Sequence, residues 1–369
     1  MLTSLLLMGP AMATSDVLFV GNSYTTSNNL NATVADVFAA AGEEVSTNRV
    51  AAGGLTLAVH AERAADPSSD WYTKLVTEAS EREWVVLQDQ SQTPGFPSTE
   101  PAWIASRDGA VALDSLVSEA GAQTMFFLTW GYVEGDSMNE WLYPDYSAMQ
   151  GHLTRGYIEY AEACATAERP VWIAPVGPAF GYIHDQLLAR GEDPLASGSL
   201  FADLYSGDGS HPARLGTQLA AYVFYASLTG ESPVGLTPPA DLDPDRVMVL
   251  QEAAAAVVFD PSDAFSFPWE DEAEGDTGSG EVTDDTGVLS PGTDTGEDEL
   301  EDDFGDDTEE ADSDGASSGE QPAESGRGPG DYPATLDEDE DKSGCSHIRD
   351  SGGSTVWALF ALLAMRRRA

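Results

Sequence analysis

The sequence predicts an α/β protein built in three layers, with helices on both faces of a central parallel sheet and a long acidic tail behind. Three observations carry this reading. From residue 16 onward, short runs rich in Val, Leu and Phe alternate with longer amphipathic stretches, the pattern of βαβ units and of a sheet covered on both faces. Residues 16 to 265 hold enough Val, Leu, Phe, Trp, Tyr and Ala in periodic runs to fill a sizeable core. From Glu270 to Lys342 the aromatic residues nearly vanish, and 29 acidic residues stand against 2 basic ones, which is −27 of the chain's −48.

The elements follow in order. Asp16 to Val20 is a buried strand that runs into the tight turn Gly21-Asn22-Ser23-Tyr24, and a helix is expected near Asn31 to Ala41. A second strand, Glu44 to Val50, leads into Ala52-Gly53-Gly54. An amphipathic stretch from Trp71 to Ala79 precedes the third strand, Trp84 to Gln88. A helix over Trp103 to Ala120, a strand over Gln123 to Thr129 and a helix over Tyr146 to Ala167 come next. In that last helix Tyr157, Tyr160, Ala161 and Cys164 recur at helical spacing, which makes Cys164 a small core residue. Pro170 to Pro175 supplies a fifth strand and Ala213 to Leu228 the last helix. In such sheets, sites form beyond the carboxyl ends of the strands.

Composition divides the rest. Residues 14–265 form the folded domain and 266–343 an acidic linker, which cannot bury enough apolar surface to offset its ordering entropy and is expected to be disordered. Up to Trp269 the chain carries 34 Asp and Glu against 10 Lys and Arg, with Lys74 the only lysine. Phosphate binding needs basic patches, so nucleic acid is excluded as a partner. So acidic a protein suits either a saline habitat or simple secretion.

Both ends point to export. Residues 1–13 read as a signal peptide, an apolar run closing on Ala11-Met12-Ala13, although it lacks a basic start and the native beginning could lie upstream of Met1. A short buried N-terminal segment is the alternative. Residues 344–369 place Gly344-Cys345, a polar spacer, the apolar run Val356 to Met365 and Arg366-Arg367-Arg368 in that order. The apolar run is short of the ~20 residues that span a bilayer. The order resembles the MYXO-CTERM type of C-terminal sorting signal of myxobacteria and their relatives. That resemblance implies transient membrane association, processing near Cys345 by a sorting protease, and a product left on the cell surface or released. The two cysteines, Cys164 and Cys345, fall in different regions, so a structural disulfide is not expected.

Two motifs carry chemistry. Gly21-Asn22-Ser23 presents a serine at the end of the first strand, and Asp208-Gly209-Ser210-His211-Pro212 supplies a histidine with a carboxylate three residues before it. A nucleophile, a base and an orienting acid are the minimum equipment for acyl transfer. Each residue has a plainer alternative: Ser23 an ordinary turn serine, His211 a histidine at a helix start before Pro212, Asp208 a turn or cap. No CxxC, HExxH or His cluster is present, so neither cofactor nor metal is expected. The Asp-Thr-Gly repeats of the linker lack calcium-loop spacing. His60, His152 and His184 are scattered and read as surface or core residues. Trp130-Gly131-Tyr132, Trp172 and Phe180 could line an aromatic wall for a sugar, or could be core.

The Gly-Asn-Ser turn and the Asp-x-x-His block, in this order and on these elements, resemble the first and last blocks of the SGNH (GDSL-type) hydrolases across residues 16 to 230. The resemblance implies the SGNH hydrolase fold, a flavodoxin-like α/β/α sandwich, and a serine hydrolase acting on carboxylic esters. It assigns Ser23 as nucleophile, His211 as base and Asp208 as the acid that orients it, with Asn22 pinning the turn. It also implies an oxyanion hole formed by the Ser23 N–H, a glycine after strand two, here Gly54, and an Asn after strand three. There the chain departs from the family. Gln88-Asp89-Gln90 holds neither Gly nor Asn, which leaves Gln90 as the donor and Gln88 as its rival. The expected substrate is a small-molecule or glycan ester, an acetyl ester on carbohydrate first. A lipid or short-chain ester is the alternative, as is a surface binding protein on a degenerate hydrolase scaffold.

Overall fold

The computed structural model describes residues 15–78, 82–260 and 265–270. The signal-peptide and sorting-signal expectations lie outside these residues, as does the linker beyond Glu270; its expected start at 266 is corrected, because Phe267 is buried in the core and stacks on Trp269 at 5.4 Å. Five strands form one all-parallel sheet: β1 (Ser15–Gly21), β2 (Val45–Ala51), β3 (Trp84–Leu87), β4 (Gln123–Phe127) and β5 (Trp172–Ala174), in the spatial order β2-β1-β3-β4-β5. This is the flavodoxin-like order, and the sheet reverses direction of growth between β1 and β3. The α/β class and the five strands expected from the sequence are the ones observed.

The helices are α1 (Ser23–Thr26), α2 (Leu30–Ala41), α3 (Leu57–Ala64), α4 (Asp70–Tyr72), α5 (Pro101–Glu119), α6 (Tyr146–Cys164), α7 (Val176–Ala189), α8 (Arg214–Thr229) and α9 (Pro244–Phe259). Successive strand residues face opposite layers, as the pleat requires. Val17 and Phe19 meet Val34 and Phe38 of α2, Phe180 of α7, Phe224 of α8 and Leu250 of α9 in one core. Leu18 and Val20 meet Leu57 of α3, Leu113 of α5 and Tyr160 of α6 in the other. Full burial of each such side chain contributes about 1.5–3 kcal/mol, so two dense layers fix the sheet firmly. Phe224 stands edge-on to Phe19 and Phe127 at 5.2 and 5.0 Å, which anchors α8 and with it the loop just before Arg214.

Three elements differ from expectation. Of the helix expected over Trp71 to Ala79, the described residues form a three-residue helix, α4 (Asp70–Tyr72), followed by a π-turn over Thr73–Thr77. The helix from Tyr146 stops at Cys164, and the last strand keeps only Trp172–Ala174 of its expected span. Helices α3, α7 and α9 were not expected. In α7, Gly177, Pro178 and Gly181 read as punctuation, yet a Cβ at Gly177 would lie 2.2 Å from the Thr129 carbonyl. That glycine serves close packing against the loop after β4, not chain reversal.

Candidate active site

β1 ends at Gly21, where only glycine fits, because a Cβ would meet Thr25 Oγ1 at 2.4 Å and Gln88 Oε1 at 2.5 Å. Asn22 caps α1: its Oδ1 accepts the Tyr24 N–H at 3.1 Å, which turns the chain sharply and leaves Ser23 half-buried at the tip. Asn22 Nδ2 donates to the carbonyls of Leu55 and Asp89, both at 3.1 Å, pinning together the loops after β1, β2 and β3. The pinning role expected of Asn22 is what these bonds perform.

Fully buried Gln88 completes that knot. Its Oε1 accepts the Asn22 N–H and the Thr25 hydroxyl, each at 2.9 Å, while its Nε2 donates to Asn22 Oδ1 at 2.8 Å and to the Asp89 carbonyl. Both amide protons are thereby spent inside the turn. Gln90 Oε1 accepts the N–H groups of Gln92 and Thr93 and the Thr93 hydroxyl, and its Nε2 donates to Gln92 Oε1 at 3.1 Å and to Ser91 Oγ at 3.4 Å. Among the described residues, the N–H groups of Ser23 and Gly54 donate to no protein acceptor. Gly54 holds φ +68°, a conformation that favours glycine.

The second motif meets the first across the whole domain. His211 Nε2 lies 2.8 Å from Ser23 Oγ, and His211 Nδ1 lies 2.6 Å from Asp208 Oδ2. Asp208 Oδ1 accepts the N–H of Ser210 at 3.0 Å, the N–H of His211 at 2.9 Å and the Ser206 hydroxyl at 2.9 Å. Partial burial works against its charge, but these backbone and side-chain donors outweigh it and hold the Asp208 carboxyl well below the usual carboxylate range. With Nδ1–H given to that carboxylate, Nε2 is left as the acceptor facing the serine hydroxyl.

Residues outside the two motifs support this chain. Trp130 lies stacked between Tyr24 and Phe180, at 4.7 and 4.5 Å, and its Nε1 donates to the Ser210 carbonyl at 3.0 Å. Tyr24 also meets the His211 ring edge-on at 5.4 Å. Trp130, Trp172 and Phe180 are therefore core, not an aromatic wall open to ligand. Tyr132 alone of that set reaches a cavity. It lines an open groove of about 790 Å³, bounded by Glu134, Asp136, Met138 and the loop Ser206–Ser210.

Among the described residues the other histidines stand apart from the relay. His60 is buried, accepts the Trp71 Nε1–H at 2.7 Å, and burial pushes it down to about 4, so it stays neutral. His152 packs on Tyr143, and His184 between Tyr146 and Phe201. Among the described residues no group of three or more His, Cys, Asp or Glu is placed to hold a metal ion.

No protein-family model and no curated protein sequence matches the chain. Solved structures do. A DUF4886 family protein from Bacteroides uniformis is 17% identical, with 70% of this chain and 99% of that protein covered and a TM-score of 0.54. A protein of Slackia heliotrinireducens assigned to the SGNH hydrolases is 23% identical, with 57% and 97% covered and a TM-score of 0.41. An acetyl xylan esterase is 12% identical, with 57% and 98% covered and a TM-score of 0.41. At these identities likeness speaks of fold alone, and this chain shares its fold with the Bacteroides uniformis protein.

Proposed function

We propose that this chain is an exported serine hydrolase that cleaves acyl esters, acetyl esters of carbohydrate first among them. The observation that carries the proposal is the unbroken hydrogen-bonded chain from Ser23 Oγ through the His211 ring to Asp208. Ser23 Oγ attacks the acyl carbon while Nε2 of His211 takes its proton. Asp208 holds the ring in the required tautomer and stabilises its charged form. The negative oxygen of the tetrahedral intermediate is met by the N–H groups of Ser23 and Gly54, and the Gln90 amide joins as third donor only by giving up its bonds to Ser91 and Gln92. Collapse expels the alcohol, which takes the proton from His211. Water activated by the same nitrogen then releases the acid and frees Ser23.

The groove beside Asp208 suits a sugar through both polar and apolar lining, the apolar part being Tyr132, Val133, Met138 and Leu195. Glu134, Asp136, Ser137, Glu140 and Ser206 line it, and Trp141 stands 72% exposed on the same loop, a face on which a sugar ring could stack. A fluorophosphonate probe should label the wild-type chain and spare Ser23→Ala. An unlabelled wild type that leaves p-nitrophenyl acetate intact would end the enzyme reading. Export rests on residues 1–13 and 344–369, and on native protein intact mass should show loss of residues after Cys345. A mature chain that keeps Arg366-Arg367-Arg368 contradicts the sorting proposal.

A further inference from the structure

Just past the nucleophile the chain adopts a conformation that side chains rarely take. Asn28 and Asn29 are left-handed, with φ 50° and 53°. Such geometry costs about 1–2 kcal/mol for most residues and less for Asn. It persists only where the surroundings hold it. Here Arg49 of β2 does so, its Nη1 donating to Oδ1 of Asn29 at 2.9 Å and of Asn31 at 3.1 Å. The Thr33 hydroxyl adds a bond to the Asn28 carbonyl at 3.3 Å.

This kink directs the Asn28 amide across the site. Its Nδ2 donates to the Pro212 carbonyl and to the Thr217 hydroxyl, both at 3.0 Å and 184 and 189 positions away in sequence. Pro212 follows His211, and Thr217 lies in the first turn of α8. One amide thus spends both protons on the segment that delivers the histidine. Other braces of that segment come from the β4 side, where Trp130 Nε1 donates to the Ser210 carbonyl and the Val133 N–H to the Gly209 carbonyl at 2.9 Å, and from the preceding loop, where the Ser206 N–H donates to the His211 carbonyl and the Leu204 carbonyl accepts the Ala213 N–H, both at 2.8 Å. Asn28 braces it from the side that carries Ser23, five residues after the nucleophile.

We propose that Asn28 is a positioning residue, whose amide sets the His211 ring against Ser23 by tying the His211-Pro212 loop to the nucleophile's own segment. The inference rests on the hydrolase reading above. A misplacement of about 1 Å at a reacting pair can cost about 100-fold in rate, so a single brace at this point has leverage.

Asn28→Gly tests it, because glycine removes the amide while suiting the left-handed backbone. The expected result is a Tm within a few degrees of wild type, because lost hydrogen bonds and glycine's entropy offset the relief of left-handed strain, with full fluorophosphonate titration at long times, kcat lowered about 10- to 100-fold and KM within about twofold. Asn28→Asp, which turns a carboxylate toward the Pro212 carbonyl, should lose kcat equally. A glycine variant with kcat within about twofold of wild type overturns the proposal. So does one whose activity falls only in step with Tm and titratable sites, since that is a structural role. Independently of turnover, the downfield His211 Nδ1–H proton resonance should be sharp in wild type and shifted or broadened in Asn28→Gly. An unchanged resonance overturns the proposal even if no ester is hydrolysed, in which case the hydrolase reading falls separately.

Discussion

The two halves of the candidate site are built in opposite ways. On the serine side Asn22, Thr25, Gln88 and Asp89 are 2% exposed or less, and each is bonded into the ends of β1 and β3. On the histidine side the side chains of His211 and Asp208 are 37% and 51% exposed, and the loop is held by a few bonds from neighbouring segments. The Ser23 turn is therefore part of the core, whereas His211 and Asp208 are mounted on the surface and braced. Stability and chemistry should separate along that line.

The largest effects come from substituting one residue on each side. His211→Ala should lower turnover of p-nitrophenyl acetate by roughly 10⁴- to 10⁶-fold. Its urea-derived stability should stay within about 1 kcal/mol of wild type, because nothing buried is left unpaired. Gln88→Leu should do the reverse. It keeps roughly the volume but strands the Asn22 N–H and the Thr25 hydroxyl in the core, at about 2 kcal/mol or more. A Gln88→Leu protein as stable as wild type, or a His211→Ala protein that unfolds, would break the contrast.

Much of this was legible in sequence, for reasons that name its limits. Strands β1, β3, β4 and β5 announced themselves as short apolar runs between turn signals, which suit a doubly covered sheet, and the edge strand β2 as a β-branched run with polar residues at alternate positions. Ser23, His211 and Asp208 were legible because a tight turn and an Asp-x-x-His spacing are local, and the structure needs only the fold to join them. Gln88 and Gln90 could not be ranked, because their difference lies in where the strand ends. β3 stops at Leu87, so Gln88 still points into the knot with Asn22, while Gln90 already belongs to the loop. Asn28 was invisible for a different reason: its partners are 184 and 189 positions away. The Asn28-Asn29 pair, tolerant of left-handed backbone, is the one local signal that could have drawn attention to it. Helix α9 was also within reach, with Asp243 as a cap and Pro244 in the first turn.

The smallest expected effect sharpens the buried half. Asp89 sits in the core with no cation beside it, and burial pushes its carboxyl up to about 6 against the hydrogen bonds of Leu57, Gln90, Ser106 and Tyr160. Three of those donors converge on Oδ1, while Oδ2 meets only the Tyr160 hydroxyl at 3.2 Å, which can accept as well as donate. Oδ2 is thus the oxygen that can carry a proton. A raised folded value means that the native state holds a proton the unfolded chain has released, from the ordinary value near 3.8 up to about 6. Stability from this group is complete below that window and declines as pH rises through it, by at most about 1.4 kcal/mol per pH unit for one proton. Asp89→Asn keeps the shape and removes the titration. The difference in urea-derived stability between wild type and Asp89→Asn should therefore slope downward between about pH 4 and 6 and flatten above. A difference that rises with pH there would mean Asp89 is held as a stabilised anion, and the serine side would then owe its rigidity to charge, not to a neutral buried network.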